Sequence, residues 1–351
     1  MSSEYIGRGS IGVLGDLLQT IKVRRVILFS RESLVTRYSS LLGTFFSFWT
    51  PYLYKDCPPN PGLDDVKRAL TFCSGVAYDA IVAVGGGSVI DLSKLFRFWS
   101  GRRVPLIAIP TTAGTGSEST RFAVYYVDGI KRSLDSPDVK PDFSIVDSQF
   151  LDGAPRYLKA CSSADAFCQS VESYWSVRST DVSKRYAWEA ASLIKDSIVA
   201  FVNYGDVESA DRLSKGAHLA GKAIDISRTT AAHALSYAFT HQLNIPHGHA
   251  VALSMADVFE SNLSALATDC QDPRGIDYIR DVMRSLSSLI LPHGVKFREY
   301  WMELMASIGL EMNCSLLGML NKKKIIMSVN RERLANNPVD LGSKLENFFE
   351  L

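Results

Sequence analysis

Five small and aliphatic residues, Ala80-Ile81-Val82-Ala83-Val84, run without a polar break into Gly85-Gly86-Gly87-Ser88, and a helical pattern opens at Val89-Ile90-Asp91. A strand that is apolar at every position has both sheet faces covered, which is the mark of a parallel sheet flanked by helices. Two further runs read the same way, Arg25-Val26-Ile27-Leu28-Phe29 and Pro105-Leu106-Ile107-Ala108-Ile109. Helical stretches at 64–73 and 89–98 lie between them. Strand–helix alternation of this kind predicts an α/β fold with a parallel sheet.

The pattern changes between Asp147 and Tyr157. From Pro155 onward strand signals nearly vanish, and helical stretches take over at 166–177, 182–202, 207–224 and 250–266, punctuated by Pro246 and Pro292. The expected boundary is near residue 153, with an N-terminal α/β unit over 1–153 and an all-helical unit over 154–351. A chain of 351 residues accommodates two such domains without staples. Neither an internal repeat nor a low-complexity segment is evident.

Charge narrows the partners. The formal net charge of +1 offers no strong field for nucleic acid or an anionic membrane. The one tight basic run, Lys322-Lys323-Lys324, reads as solvated surface. Cys57, Cys73, Cys161, Cys168, Cys270 and Cys314 form no C-x-x-C pair, and Met1-Ser2-Ser3-Glu4 does not lead from a basic stretch into an apolar one. Free thiols and a cytoplasmic location are the expectation. The aromatic stretch from Leu41 to Tyr54 is too short and too polar to span a bilayer.

A glycine turn between strand and helix lets backbone N–H groups approach a phosphate, and the helix dipole adds to the attraction. Gly85, Gly86, Gly87, Ser88 and Asp91 are therefore candidate cofactor residues. A second polar turn follows the strand at 105–109 and runs Thr111-Thr112-Ala113-Gly114-Thr115-Gly116-Ser117-Glu118. Thr111, Thr112, Thr115 and Ser117 suit the same task, and two such turns on successive strands point to a dinucleotide more firmly than either alone. The first strand ends in Ser30-Arg31. An acid there would suit the ribose hydroxyls of NAD, whereas a hydroxyl followed by arginine tolerates the extra phosphate of NADP. The reading favours NADP over NAD, against the alternative of an exposed loop arginine. Lys131 is a further candidate for a cofactor phosphate.

In the helical half, Asp165 and Gln169 are four apart and share one helix face. His233 and His247, the latter in Pro246-His247-Gly248-His249, add two imidazoles. Two imidazoles and a carboxylate can hold a borderline divalent ion, iron(II) or zinc. Spacing alone does not separate this from ordinary surface or core histidines.

Several of these stretches together resemble the iron-containing (group III) alcohol dehydrogenase family. The turn 85–88 with Asp91 and Lys94 is similar to that family's cofactor motif, and Pro110 to Glu118 to a second signature. Asp165 stands at the family's carboxylate ligand position, and His233 and His247 at its downstream histidine ligands. The ending Val329-Asn330-Arg331-Glu332-Arg333-Leu334 with Asn336-Asn337-Pro338 also resembles the family's close. The resemblance implies a dehydroquinate synthase-like architecture, with a nucleotide-binding domain, a helical metal-binding domain and an active cleft between them. It implies hydride transfer between NADP or NAD and a small alcohol or aldehyde, with a divalent metal, Fe2+ ahead of Zn2+, and a homo-oligomer.

Two positions depart from the family pattern. Gln169 stands where the family usually has histidine, and three readings stay open: ligation through the amide oxygen, a hydrogen bond to water, or a site that has lost its metal. Tyr237 replaces a second histidine, and with His249 it is the candidate proton relay. The segments 172–177 and 223–230 look most like the phosphonoacetaldehyde reductase subgroup, which makes phosphonoacetaldehyde, reduced to 2-hydroxyethylphosphonate, the candidate substrate. Its anionic tail needs a cation, for which Arg121, Lys131, Lys222 and Arg228 are candidates. The rival readings are a non-redox enzyme resembling dehydroquinate synthase, and a binding homologue with an impaired metal site.

Overall fold

The computed structural model describes residues 3–128, 130–318, 321–342 and 344–348. The chain divides into two compact units, Met1–Gly153 and Ala154–Leu351. In the first, six parallel strands form one sheet: β1 (Ser3–Ile6), β2 (Val26–Phe29), β3 (Tyr52–Tyr54), β4 (Ala80–Gly85), β5 (Leu106–Pro110) and β8 (Phe143–Val146), ordered β1-β8-β5-β4-β2-β3. The remaining two, β6 (Phe122–Val127) and β7 (Ile130–Asp135), pair as a separate antiparallel hairpin. Helices α1 (Val13–Thr20), α2 (Glu32–Arg37), α3 (Gly43–Phe48), α4 (Leu63–Phe72) and α5 (Gly87–Trp99) complete the unit.

The continuous apolar character of β2, β4 and β5 has a direct cause. Alternate residues point to opposite faces, and each face has its own core. Val26, Leu28, Val82, Val84, Ile107 and Ile109 pack on one side with Leu14, Leu18, Phe45 and Phe150. Ile27, Phe29, Ile81, Ala83, Leu106 and Ala108 pack on the other with Val66, Ile90, Leu95 and Phe96.

The second unit contains α6 (Arg156–Trp175), α7 (Asp181–Tyr204), α8 (Val207–Ser227), α9 (Ala231–Leu243), α10 (His247–Leu263), α11 (Ile276–Ile290) and α12 (Phe297–Ile308), then the short α13 (Cys314–Leu317), α14 (Lys322–Ser328) and α15 (Arg331–Leu334). No strand occurs among its described residues. Helix α6 begins ten residues ahead of the expected 166, because Lys159, Ser162 and Ser163 interrupt the apolar pattern but not the helix. Helix α10 runs from His247 rather than Ala250, so the Pro246-His247-Gly248 segment is the first turn of a helix and not a loop. Among the described residues no helix is long and apolar enough to cross a membrane. Lys323 and Lys324 are exposed; the Lys322 side chain, like Met1 and Ser2, lies outside the described residues.

Candidate metal centre and phosphate turn

Asp165, His233 and His247 each offer a ligand atom, and these atoms lie within 4.8 Å of one another. Three helices bring them together: α6 carries Asp165, the first turn of α9 carries His233, and α10 opens with His247. Asp165 and His233 are each only 3% exposed, whereas His247 is half-buried, so solvent reaches the cluster from the His247 side alone. His233 Nε2 lies 3.2 Å from Asp165 Oδ1.

Gly248 explains how α10 comes so near α6. A Cβ at this position would overlap the carbonyl oxygen of Cys161 and sit 2.9 Å from Asp165 Cβ. Only glycine lets the two helices close to the distance that sets His247 beside Asp165.

A fourth residue, not anticipated from the sequence, organises the cluster. Glu172 is fully buried on α6, and one carboxylate oxygen accepts from Thr230 Oγ1 at 2.9 Å and from the backbone N–H groups of Ala232 at 2.8 Å and His233 at 3.3 Å. It thus satisfies N–H groups at the start of α9 that have no partner within the helix. The other oxygen meets His233 Nδ1. That bond holds a ring proton on Nδ1 and directs Nε2 toward Asp165, the usual orientation of a metal-ligating histidine with a carboxylate behind it. Asp165, Gln169 and Glu172 recur at intervals of four and three, one face of a helix, so the signal was present in the sequence.

His247 is oriented in a parallel way. Ser236 Oγ donates to the His233 carbonyl at 2.8 Å, which leaves it to accept from His247 Nδ1 at 3.3 Å. Tyr237 stacks on the His247 ring, with centroids 6.1 Å apart and planes at 21°. Burial by itself would lower the pKa of His233, but the facing carboxylates of Glu172 and Asp165 outweigh it and raise the value to about 9. The group that fits such a site must therefore be cationic, and a carboxylate with two imidazoles is the donor set of a borderline divalent ion.

Gln169 lies one turn of α6 from Asp165 and is 3% exposed, and its Oε1 is buried without a hydrogen-bond partner. His249 does not take the place expected for a proton relay. Residues two apart on a helix do not share a face, and His249 turns away from His247. Its Nδ1 meets Tyr157 OH at 2.9 Å and its Nε2 the Glu311 carbonyl at 2.6 Å, so both ring nitrogens serve packing within the unit. Burial lowers its pKa.

The loop leading into α9 is held from the C-terminal segment. Asn336 Nδ2 donates to the carbonyls of Ser227 at 2.9 Å and Thr229 at 3.0 Å. Between them Arg228 adopts φ 63° and ψ 176°, a region other residues than glycine rarely enter. Arg333 Nη1 bonds Thr229 Oγ1, and its guanidinium lies 5.7 Å from the Tyr237 ring centroid. A cation absent from the expected set thus stands against the Tyr237 ring. Of those that were expected, Lys222 sits 4.8 Å over the Tyr186 ring, Arg228 reaches the Asp225 carbonyl, and Arg121 pairs with Asp135.

In the α/β unit, Gly85-Gly86-Gly87 joins β4 to α5, and the neighbouring strand β5 delivers the second turn beside it, with Thr111 N donating to the Gly85 carbonyl at 3.1 Å. A Cβ on Gly87 would lie 2.5 Å from Thr115 Oγ1, and one on Gly86 3.3 Å from Thr112 Oγ1. Gly87 has no room for a side chain because Thr115 occupies that space, and at Gly86 the approach of Thr112 is merely tight. No side chain caps α5 and no acid lies in its first turn, so its N–H groups suit an anion.

Two expected cofactor residues are used otherwise. Both carboxylate oxygens of Asp91 are taken by protein donors, one by Ser117 Oγ and one by Val124 N at 3.0 Å. Lys94 Nζ joins this network at 3.0 Å from Ser117 Oγ. Asp91 and Ser117 therefore tie α5 to the second turn and the hairpin. Ser88 Oγ accepts from Asn60 N at 3.2 Å, and Lys131 lies on β7 opposite Tyr126. At the end of β2, Ser30 is buried and Arg31 Nε donates to the Cys57 carbonyl at 2.7 Å.

A family profile described as iron-containing alcohol dehydrogenase matches residues 2–148, and its C-terminal counterpart matches residues 159–331. The chain belongs to the iron-containing alcohol dehydrogenase family, and is an oxidoreductase of the alcohol dehydrogenase and aldehyde reductase class. It is 31% identical to phosphonoacetaldehyde reductase of Streptomyces viridochromogenes over 259 residues, 66% of this chain and 65% of that protein. It is 31% identical to long-chain-alcohol dehydrogenase 1 of Geobacillus thermodenitrificans over 274 residues, 71% of this chain and 69% of that protein. Among solved structures, sulfoacetaldehyde reductase from Bifidobacterium kashiwanohense in complex with NAD+ shares the fold, with TM-score 0.84 and 22% identity over 99% of this chain and 97% of that one.

Proposed function

We propose that this chain reduces a short aldehyde carrying an anionic tail, with phosphonoacetaldehyde reduced to 2-hydroxyethylphosphonate as the candidate reaction. The observation that carries the reading is the convergence of Asp165, His233 and His247, the first two buried, with a supporting carboxylate. In this reading the helical unit binds metal and substrate and the α/β unit binds the dinucleotide. When bound, a divalent ion supplies Lewis-acid polarisation of a carbonyl and a reduced nicotinamide supplies the hydride.

The chain's own residues account for position and charge. Glu172 and Ser236 fix the ring orientations of His233 and His247, so that both present Nε2. Burial of Asp165 and His233 keeps water from competing at that point. The N-terminus of α5 and the threonines of the second turn receive phosphates, and Arg31 at the end of β2 supports NADP ahead of NAD. Tyr237 walls the cluster on the His247 side, and Arg333, over the same tyrosine ring, is the cation that would meet an anionic tail. The phosphonate reading draws support from the Streptomyces relative, and an anionic two-carbon aldehyde from the name of the Bifidobacterium structure.

The test is an aldehyde panel followed by loss of NADPH or NADH absorbance. Arg333→Met should raise KM for phosphonoacetaldehyde by at least about tenfold, since a charge-assisted contact contributes about 1.5–3 kcal/mol. It should leave uncharged aldehydes of the same length almost unchanged. Equal effects on charged and uncharged aldehydes would remove the anionic tail from the account.

A further inference from the structure

We propose that Gln169 binds the divalent ion through its amide oxygen, completing a set of two oxygen and two nitrogen donors. The inference rests on the metal-binding reading of Asp165, His233 and His247 given above.

Three observations lead to it. Gln169 is 3% exposed and its Oε1 is buried with no hydrogen-bond partner. A buried carbonyl oxygen left without a donor costs about 1–3 kcal/mol, and native interiors rarely keep one without a reason. Gln169 also stands between Asp165 and Glu172 on one face of α6, one turn from each, so its neighbours on that face are a ligand and the support of a ligand. Finally, the polar groups around the cluster are already matched to one another. Glu172 takes Thr230, Ala232 and His233, and Ser236 takes His247. The unmet need of Gln169 Oε1 is for an electron-pair acceptor, and a divalent ion is one.

The consequence is a metal preference unlike that of a three-histidine site. Imidazole suits zinc and iron, whereas carbonyl and carboxylate oxygens suit harder ions such as manganese(II). An amide oxygen in place of a third imidazole lowers affinity for zinc more than for manganese(II). It also leaves the ligand set with no charge beyond that of Asp165.

Gln169→Leu tests the assignment, because leucine has nearly the same volume and no donor atom. Metal-free protein would be titrated with zinc(II), manganese(II) and cobalt(II), reading dissociation constants, the visible spectrum of the cobalt form, and the melting temperature with and without metal. Gln169→Leu should weaken binding of each ion by at least about tenfold, no less than loss of an outer-sphere support does. Its cobalt spectrum should change in position and intensity. Its metal-free form should melt no lower than wild type, since an unmatched buried oxygen has been removed, and its loaded form should melt lower. That crossing is not produced by a variant that merely folds badly. Gln169→His should raise the ratio of zinc to manganese affinity. Wild-type affinity and an unchanged cobalt spectrum in Gln169→Leu would overturn the inference alone. Failure of wild-type protein to bind any of the three ions would overturn the metal reading with it.

Discussion

Replacing Gly248 by alanine should separate stability from metal binding in a way the structure allows to be worked out. The added Cβ would overlap the Cys161 carbonyl oxygen and stand 2.8 Å from the carbonyl carbon and 2.9 Å from Asp165 Cβ. Carbons in contact ordinarily lie about 3.5–4.0 Å apart, so the two carbon contacts alone require α10 and α6 to part by roughly 0.6–1.2 Å, and the overlapping carbonyl oxygen asks for no less. The obstruction is backbone and cannot rotate away, which places the loss at the upper end of the usual range for overpacking, about 3 kcal/mol. Metal–ligand distances tolerate only about 0.2 Å. His247 opens α10 and Asp165 sits at the contact itself, so the movement exceeds that tolerance several times over. Gly248→Ala should therefore lose about a hundredfold or more in metal affinity, comparable to the larger outer-sphere losses. The assay is a metal titration of purified protein alongside calorimetric unfolding of the metal-free form. Gly216→Ala is the control: its Cβ meets the flexible Ile194 side chain at 2.8 Å, in the contact between α7 and α8, and should lower stability but not metal affinity. A Gly248→Ala protein that binds metal as tightly as wild type would refute the packing argument.

Three other outcomes follow from the same geometry. Glu172→Gln retains the shape but cannot accept from His233 Nδ1 with a full charge, and should cost about 10–100-fold in metal affinity, read by the same titration. Gly87→Ala places a Cβ 2.5 Å from Thr115 Oγ1 and should weaken NADPH binding, measured by fluorescence, while leaving metal affinity unchanged. In metal-free protein His233 is raised to about 9 against an ordinary value of 6.5. Its charged form therefore stabilises the fold fully below about 6.5, and that contribution is lost as pH rises through about 9. A metal ion must displace the same proton, so affinity should climb with pH up to about tenfold per unit across that window, with proton release on binding. Pseudo-constant affinity between pH 6.5 and 8.5 would contradict the Glu172–His233 pairing.

Much of the α/β unit was legible because β2, β4 and β5 are covered on both faces, and nothing but aliphatic residues survives there. The edge strands β1 and β3 were not, since Ser3-Glu4-Tyr5-Ile6 and Tyr52-Leu53-Tyr54 are short, half-exposed and mixed in character. The hairpin β6–β7 was missed for a related reason: its residues are largely part-exposed and alternate only weakly. At the metal cluster the residues were legible through a family resemblance more than through spacing, which linked only Asp165 with Gln169. Glu172 extends that same face by three residues, but a glutamate within a helical pattern reads as solvated surface until its burial is seen. His249 misled in the opposite direction, since proximity in sequence to His247 becomes opposition on a helix. Asp91 and Ser117 belong to the cofactor motif by position, yet their hydrogen bonds are internal, and what they contribute is the rigidity of the turn.

Asp165, His233 and His247 are proposed to hold a divalent ion on which aldehyde reduction depends. The most direct measurement follows NADPH oxidation by anaerobically purified protein with phosphonoacetaldehyde, before and after chelation, on readdition of iron(II) or zinc, and in His233→Ala. Activity lost on chelation, restored by an added ion and absent from His233→Ala is the predicted result. Turnover that survives chelation, or that persists in His233→Ala, would contradict it.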